Sequence, residues 1–112
     1  MPYLSVQTNV TVADKAGLMA TLSAQVAGML GKPESYVMVH VQGDAAMMFA
    51  GHDEPAAYAQ LKSLGLPESQ TETYSAKLCH LLQAELGIAP DRIYIEFSAP
   101  ERHMWGWNNG TF

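Results

Sequence analysis

The sequence predicts an α+β fold, a tandem β-α-β repeat in which a four-stranded mixed sheet carries two helices on one face. Short segments rich in β-branched residues show alternating apolar positions, and two longer segments show apolar positions at helical spacing. A shift of 56 residues also superimposes the first half on the second. A chain of 112 residues suits one domain, with pseudo-repeats at roughly 2–50 and 56–107.

The first half predicts a strand, a helix and further strands, in that order. Apolar alternation indicates a strand over residues 3–10. Asp14 suits the N-cap of a helix over residues 15–30, because its short side chain can accept from free amides. A second strand is predicted at 35–41, and a short third one at 46–51.

The second half repeats this plan. Residues 56–65 can form a strand despite weak β-propensity, and residues 66–87 predict a helix that starts near a proline and acidic residues. Residues 92–97 predict the last strand, and residues 104–112 form a short aromatic tail. Each crossover helix should join two parallel strands.

The shift of 56 residues relates particular positions of the two halves. It moves Gly31, which suits a helix C-cap, onto Gly87. It also moves the first helix stripe onto the second, and "YVMVHV" at 36–41 onto "RIYIEF" at 92–97. One shift that matches both a helix and its following strand favours a repeat.

The low charge of the chain predicts self-association. Only 15% of residues are charged, and 48% are hydrophobic, whereas about 25% charged residues are typical. Two helices cover only one face of the sheet, so the other face needs a different cover. Both features favour a subunit interface.

Composition also excludes several function classes. The net charge is −5 and the six basic residues are scattered, which argues against a nucleic-acid partner. No segment predicts a signal peptide or a membrane span, so a cytoplasmic location is expected, with unconventional secretion left open. The single cysteine, Cys79, fits a reducing compartment. The four histidines have no spacing typical of a metal site, and no cofactor motif is present.

In order and spacing, several short motifs resemble the macrophage migration inhibitory factor family of the tautomerase superfamily. They run the length of the chain: "MP" followed by a strand with "TNV" (8–10), "GKP" and "YVMVHV" (31–41), "EP" (54–55), "SLG" (63–65), "PDRIYIEF" (90–97) and "GWNNGTF" (106–112). The resemblance implies a homotrimer with sheets inside and helices outside. It also implies cofactor-free keto–enol tautomerisation of aryl 2-oxo acids such as phenylpyruvate.

Two catalytic residues follow from this resemblance. Pro2, freed by removal of Met1, is expected to be the general base, and Lys32 to bind the substrate carboxylate and lower the amine pKa. Without the resemblance, Pro2 is equally well explained as a proline tolerated at the start of a strand. Lys32 is then better explained as a cation that stabilises the C-terminus of a helix.

The resemblance further assigns eight residues to the substrate pocket, for several of which core packing is the alternative. They are Tyr3, Tyr36, Leu64, Tyr94, Glu96, Trp105, Trp107 and Phe112. Tyr94 is expected to come from a neighbouring subunit. Glu96 and Trp105 depart from the family pattern, which usually has asparagine and a smaller aliphatic residue there. A different substrate preference or a narrower pocket is the expected result.

A protein-binding trimer with a vestigial pocket is the competing hypothesis. Vertebrate members of the family act as cytokines, so an unidentified protein partner is compatible with the resemblance, although no surface motif of this chain indicates one. The segment "EPAAYA" (54–59) has no cysteine where animal members carry C-x-x-C. Thiol–disulfide activity is therefore expected to be absent.

Overall fold

Four strands form the main sheet and two helices pack on it. The structure is a computed structural model that describes all residues from 1 to 112. The sheet strands are β1 (Tyr3–Thr8), β2 (Met38–Gln42), β3 (Ala57–Lys62) and β4 (Ile93–Ser98). The helices are α1 (Lys15–Leu30) and α2 (Thr71–Leu86), and the tail forms a hairpin of β5 (Gly106–Trp107) and β6 (Gly110–Thr111).

The sheet is mixed, with the order β2-β1-β3-β4. The strand β1 pairs in parallel with β2 and antiparallel with β3, and β3 pairs in parallel with β4. Each parallel pair is joined through one helix, as β-α-β units require. The predicted four-stranded mixed sheet with two helices is confirmed, and β1 lies in its interior.

Both helices end where a glycine takes a left-handed conformation. Gly31 has φ 62° after α1, and Gly87 has φ 69° after α2. Glycine adopts this region without the steric cost that a Cβ imposes. At the other end of α1, the Oδ1 atom of Asp14 accepts from the Gly17 amide at 2.9 Å, as predicted for an N-cap. A turn of 3₁₀ helix precedes α2, which therefore starts at Thr71.

The core lies between the sheet and the helices. Alternate β1 residues such as Leu4 and Val6 are buried in this core, and so are Leu22 of α1 and Leu82 of α2. Fifteen buried residues form one continuous cluster. Neither helix combines the length and the apolar character that crossing a membrane would require.

The opposite sheet face is not covered by the helices. It presents Tyr3, Ser5 and Gln7 on β1 together with their neighbours on the other strands. Met38 and Tyr94, at opposite ends of this face, are each 65% exposed. We call the uncovered side of the sheet the open face.

The prediction of a third strand at residues 46–51 is wrong. This segment is a loop whose one pairing is an isolated bridge between Phe49 and His52. Ala50 has φ 57° and Gly51 has φ 83°, which are left-handed conformations that turn the chain. Apolar composition alone suggested a strand, but the segment packs beside β4 through side chains such as Phe49 and pairs with no strand of the sheet.

Arg92 holds this loop in place. Its guanidinium donates to the carbonyl oxygens of Phe49, His52, Glu54 and Pro55 over 2.9–3.2 Å. The guanidinium carbon also lies 5.3 Å from the centre of the Phe49 ring, within cation–π range. The planar, five-donor group of arginine suits several carbonyls at once, whereas lysine offers a single point of charge.

Replacing Arg92 with lysine should loosen the loop without unfolding the sheet. The Phe49 and His52 amides each bond to the other residue's carbonyl oxygen, so they report on the loop. We expect their hydrogen exchange to accelerate by about tenfold or more in Arg92→Lys. The exchange of α1 amides serves as the internal control. Unchanged protection of Phe49 and His52 would show that other contacts hold the loop.

Candidate active site

A cavity of about 640 Å³ opens at the end of the sheet where β1 begins. Met1, Pro2 and Tyr3 line it from the start of the chain, and the entry to β2 contributes Tyr36 and Met38. The ends of β3 and β4 and the C-terminal tail complete the walls, through Lys62, Ser98, Trp105 and Trp107 among others. Eight of the fourteen lining residues are hydrophobic, so the cavity combines apolar walls with few polar groups.

Pro2 is held at the base of this cavity by the sheet itself. Its side chain is almost completely buried, and its carbonyl oxygen accepts from the Met38 amide at 3.0 Å. Proline has no N–H to give to a sheet, and here it precedes the first residue of β1. The backbone of β2 therefore fixes the position of Pro2 through its carbonyl oxygen alone.

The amine at the start of the chain is electrostatically perturbed. The pKa of the Met1 amine is lowered, first by burial and then by the positive charges of Lys32 and Arg102. Burial removes water that would stabilise the ammonium, and nearby cations repel it. Lys32 does not line the cavity, but its charge acts on the Met1 amine. Its expected role toward a Pro2 amine stays a prediction.

An aromatic wall closes one side. Tyr36 and Trp107 meet edge to face with ring centres 5.9 Å apart, and Trp107 stacks on Phe112 at 5.4 Å. The wall stands on the β5–β6 hairpin, whose Asn108 and Asn109 have φ values of 51° and 67°. Asparagine tolerates the two left-handed positions of a tight hairpin turn better than most residues.

The structure does not bring every predicted residue to this cavity. Leu64 is buried, with 7% of its surface exposed, and is not among the lining residues. Tyr94 lies at the far end of β4, where it packs on Phe49 with ring centres 4.7 Å apart. Glu96 lies between the two ends on the open face and accepts from Gln60 Nε2 at 3.1 Å. Four residues along a strand separate Tyr94 from Ser98, or about 13 Å.

Two basic residues at the site were missed. Arg102 acts on the amine, and its Nε donates to the Phe112 carbonyl oxygen at 3.0 Å. Lys62 lines the cavity from the end of β3. From the sequence, the alternation of side chains along a strand predicts that Lys62 shares a face with Tyr58 and Gln60, as the structure has it. No motif or spacing in the sequence indicates that this face lies beside Pro2. No group of three or more histidine, cysteine, aspartate or glutamate side chains is arranged to hold a metal ion.

Comparison with known proteins settles the family. A family model described as macrophage migration inhibitory factor matches residues 1–112. The chain belongs to the macrophage migration inhibitory factor family. It is 42% identical to the macrophage migration inhibitory factor of Meriones unguiculatus, over all of this chain and 99% of that protein. It is 40% identical to a homologue from Brugia malayi over the same shares.

Solved structures agree with this membership. A macrophage migration inhibitory factor homologue from Prochlorococcus marinus superimposes with a TM-score of 0.94 at 42% identity, over 98% of both chains. The Trichinella spiralis protein superimposes with a TM-score of 0.93 at 37% identity, over 98% of this chain and 99% of that one. The family and its fold are thus shown along the whole chain.

The perturbed amine gives a direct titration test. In protein that retains Met1, we expect its amine pKa to lie below the ordinary value of about 8. Lys32→Met removes a cation that repels the ammonium, so the pKa should rise toward the ordinary value and the amine should be more protonated at neutral pH. NMR of the labelled amine measures both values. Lys15→Met, an exposed change at the start of α1, is the matched control. An equal pKa in Lys32→Met and wild type would contradict the electrostatic assignment.

Proposed function

We propose that this protein is a cofactor-free keto–enol tautomerase of phenylpyruvate-like aryl 2-oxo acids, with Pro2 as general base once Met1 is removed. The observation that carries the proposal is the environment of the chain start: burial and the charges of Lys32 and Arg102 lower the pKa of the Met1 amine, and Pro2 beside it lines a cavity with aromatic walls. Membership of the family supports the same activity.

The base chemistry needs a neutral amine. Removal of Met1 converts the nitrogen of Pro2 from an amide, which has no basic lone pair, into a secondary amine. Burial is the largest cause of the lowered pKa of the Met1 amine, and Pro2 is more deeply buried than Met1. We therefore expect a mainly unprotonated amine near pH 7, where a general base is most useful.

The reaction moves one proton from carbon to oxygen and shifts two electron pairs. The Pro2 nitrogen takes the proton from C3 of the keto acid, the C3–H pair forms the C2=C3 bond, and the C2=O π pair moves onto the oxygen. The Pro2 ammonium then gives its proton to that oxygen, which yields the enol and the neutral amine. The reverse sequence returns the keto form. Lys32 and Arg102 supply positive charge for the substrate carboxylate and the developing oxyanion. Tyr36 and Trp107 exclude water from the aryl group.

Subunit association would complete the site. We propose a homotrimer in which neighbouring chains cover the open face. Tyr94 is 65% exposed and lies far from the cavity of its own chain, as expected of a residue that serves a neighbour's pocket. The apolar cavity formed by Met47, Met48, Phe49 and their neighbours lies beside Tyr94, and the exposed Met48 side chain on it is also available for such contact. Leu64 has no lining role within one chain.

Two departures from the family pattern are proposed to adjust specificity. Glu96 keeps a hydrogen bond with Gln60 on the open face and adds negative charge there. Trp105 lines the cavity, where its bulk narrows the space for the aryl group. Both changes favour substrates other than the simplest phenylpyruvates.

Blocking the amine should abolish activity. We expect the phenylpyruvate enol–keto rate of processed protein to exceed that of Met1-retaining protein by about 10²-fold to 10⁴-fold, the usual contribution of a general base. Pro2→Gly should also be slower than wild type, since a flexible primary amine replaces a fixed secondary one. Intact mass confirms the processing state of each sample. Equal rates in all three would refute the base assignment and favour the protein-binding alternative.

The assembly can be tested separately. Sedimentation equilibrium should give three times the mass of one chain. Tyr94→Ala should raise KM for phenylpyruvate more than Tyr58→Ala, a nearby tyrosine on the same face. If the chain sediments as a monomer that still turns over phenylpyruvate, each cavity is complete without a neighbour.

A further inference from the structure

Five acceptors surround the guanidinium of Arg92, and one of them is an imidazole nitrogen. Four are the carbonyl oxygens of Phe49, His52, Glu54 and Pro55, at 2.9–3.2 Å from the guanidinium nitrogens. The fifth is Nε2 of His52, at 3.2 Å from Nη1. All five acceptors belong to the β2–β3 loop, which we define as residues 43–56. Since arginine has five N–H donors, His52 completes the hydrogen bonding of Arg92.

This contact determines the protonation state of His52. Arginine stays charged and can only donate, so Nε2 of His52 has to accept with a free lone pair. The proton of the neutral ring is then on Nδ1. A protonated imidazole carries N–H groups at both nitrogens and has no lone pair to offer. Protonation of His52 therefore removes the fifth acceptor and places two cationic groups 3.2 Å apart.

No carboxylate of the chain pairs with either group. The one ion pair joins His103 to Glu101, so neither His52 nor Arg92 has an acidic side chain within 4.0 Å of its nitrogens. The charged and titratable side chains of the loop and of the segments against it are Asp44, Asp53, Glu54, Tyr58, Asp91, Arg92 and Tyr94. The contact between His52 and Arg92 lies within one chain, so it does not depend on what covers the open face.

The loop also supports the ring of Tyr94. The Phe49 ring contacts both partners: its centre lies 5.3 Å from the guanidinium carbon of Arg92 and 4.7 Å from the ring centre of Tyr94. Tyr94 is otherwise well exposed, and no other aromatic ring of the chain packs on it. Loosening of the loop therefore takes the Phe49 ring away from Tyr94.

We propose that the neutral imidazole of His52 positions the β2–β3 loop and the Tyr94 ring, and that protonation of His52 releases both. The loop part of this inference needs no assumption about activity. The consequence for catalysis rests on the proposed function, in which Tyr94 serves the pocket of a neighbouring chain. Acid then affects that pocket in two independent ways, through the Pro2 amine and through His52.

Hydrogen exchange over the pH range of histidine titration tests the loop part. The Phe49 and His52 amides, which each bond to the other residue's carbonyl oxygen, are the reporters. Protection factors correct for the intrinsic pH dependence of exchange. In wild type those of the two reporters should fall by about tenfold between about pH 8 and pH 5, whereas α1 amides should keep theirs.

Three histidine variants separate protonation of His52 from other effects of acid. Glutamine offers an acceptor oxygen and does not titrate, so His52→Gln should keep its reporter protection within about twofold over the same range. His52→Lys places a permanent cation beside Arg92, and its loop should already exchange fast at about pH 8. His80→Gln, an exposed change on α2, is the matched control and should lose reporter protection in acid as wild type does. Equal losses in wild type and His52→Gln would overturn the proposal, and so would full protection of wild type at about pH 5.

NMR observes both ends of the contact directly. At about pH 8 the His52 ring should carry its proton on Nδ1, and a ring protonated on Nε2 would refute the contact with Arg92. The ring protons of Tyr94 feel the ring current of Phe49. Their shifts should change in acid in wild type and stay constant in His52→Gln.

Turnover separates this inference from the proposed function. The ratio of the wild-type KM for phenylpyruvate to that of His52→Gln should rise in acid by about fivefold, the size expected of one lost aromatic pair. Titration of the Pro2 amine affects both proteins equally and cancels in this ratio. If neither protein turns over phenylpyruvate, the proposed function fails, and exchange and NMR still decide the role of His52. A constant KM ratio beside an acid-released loop would refute the link between His52 and catalysis.

Discussion

The start of the chain lies in the middle of the sheet, and the rest of the site depends on that placement. β1 has a neighbour on each side, so its first residues are fixed by backbone hydrogen bonds. A proline at this position costs the sheet no backbone hydrogen bond, although it lacks an N–H. It precedes the strand, and only its carbonyl oxygen takes part in the pairing. The fold thereby encloses Pro2 and partly buries Met1, at a chain terminus that in most proteins is solvated and mobile.

Once the terminus is buried, its charge state is set by its surroundings. Burial penalises the ammonium, and the cations at the cavity add to that penalty. The same cations favour an anionic ligand, so ligand binding and a neutral amine require the same arrangement of charge. An overall acidic chain strengthens this contrast between the cavity and the remaining surface.

Local sequence patterns predicted most of the fold, and the failures have physical reasons. Helix α1 was predicted from Lys15 to Leu30 because its cap, its stripe and its terminal glycine all act locally. The prediction of a strand at 46–51 was wrong because a strand forms only where it can pair with another strand. The amino-acid composition of the segment does not show whether such a partner is present. The motifs pointed to Pro2, Trp105 and Trp107, which the structure places on the cavity, while their catalytic and binding roles stay predictions. Lys62 and Arg102 were missed because only the strand register and the tail path bring them to the cavity. The pseudo-repeat boundaries stay a prediction.

The burial of Pro2 also has a consequence for the order of events during biosynthesis. Met1 is itself a wall of the cavity, and the residue after it is almost wholly enclosed. In the proposed mechanism Met1 has to leave before Pro2 can act, and Pro2 is enclosed once β1 has paired with β2 and β3. Removal of Met1 before β3 is synthesised would therefore meet the least resistance from the fold.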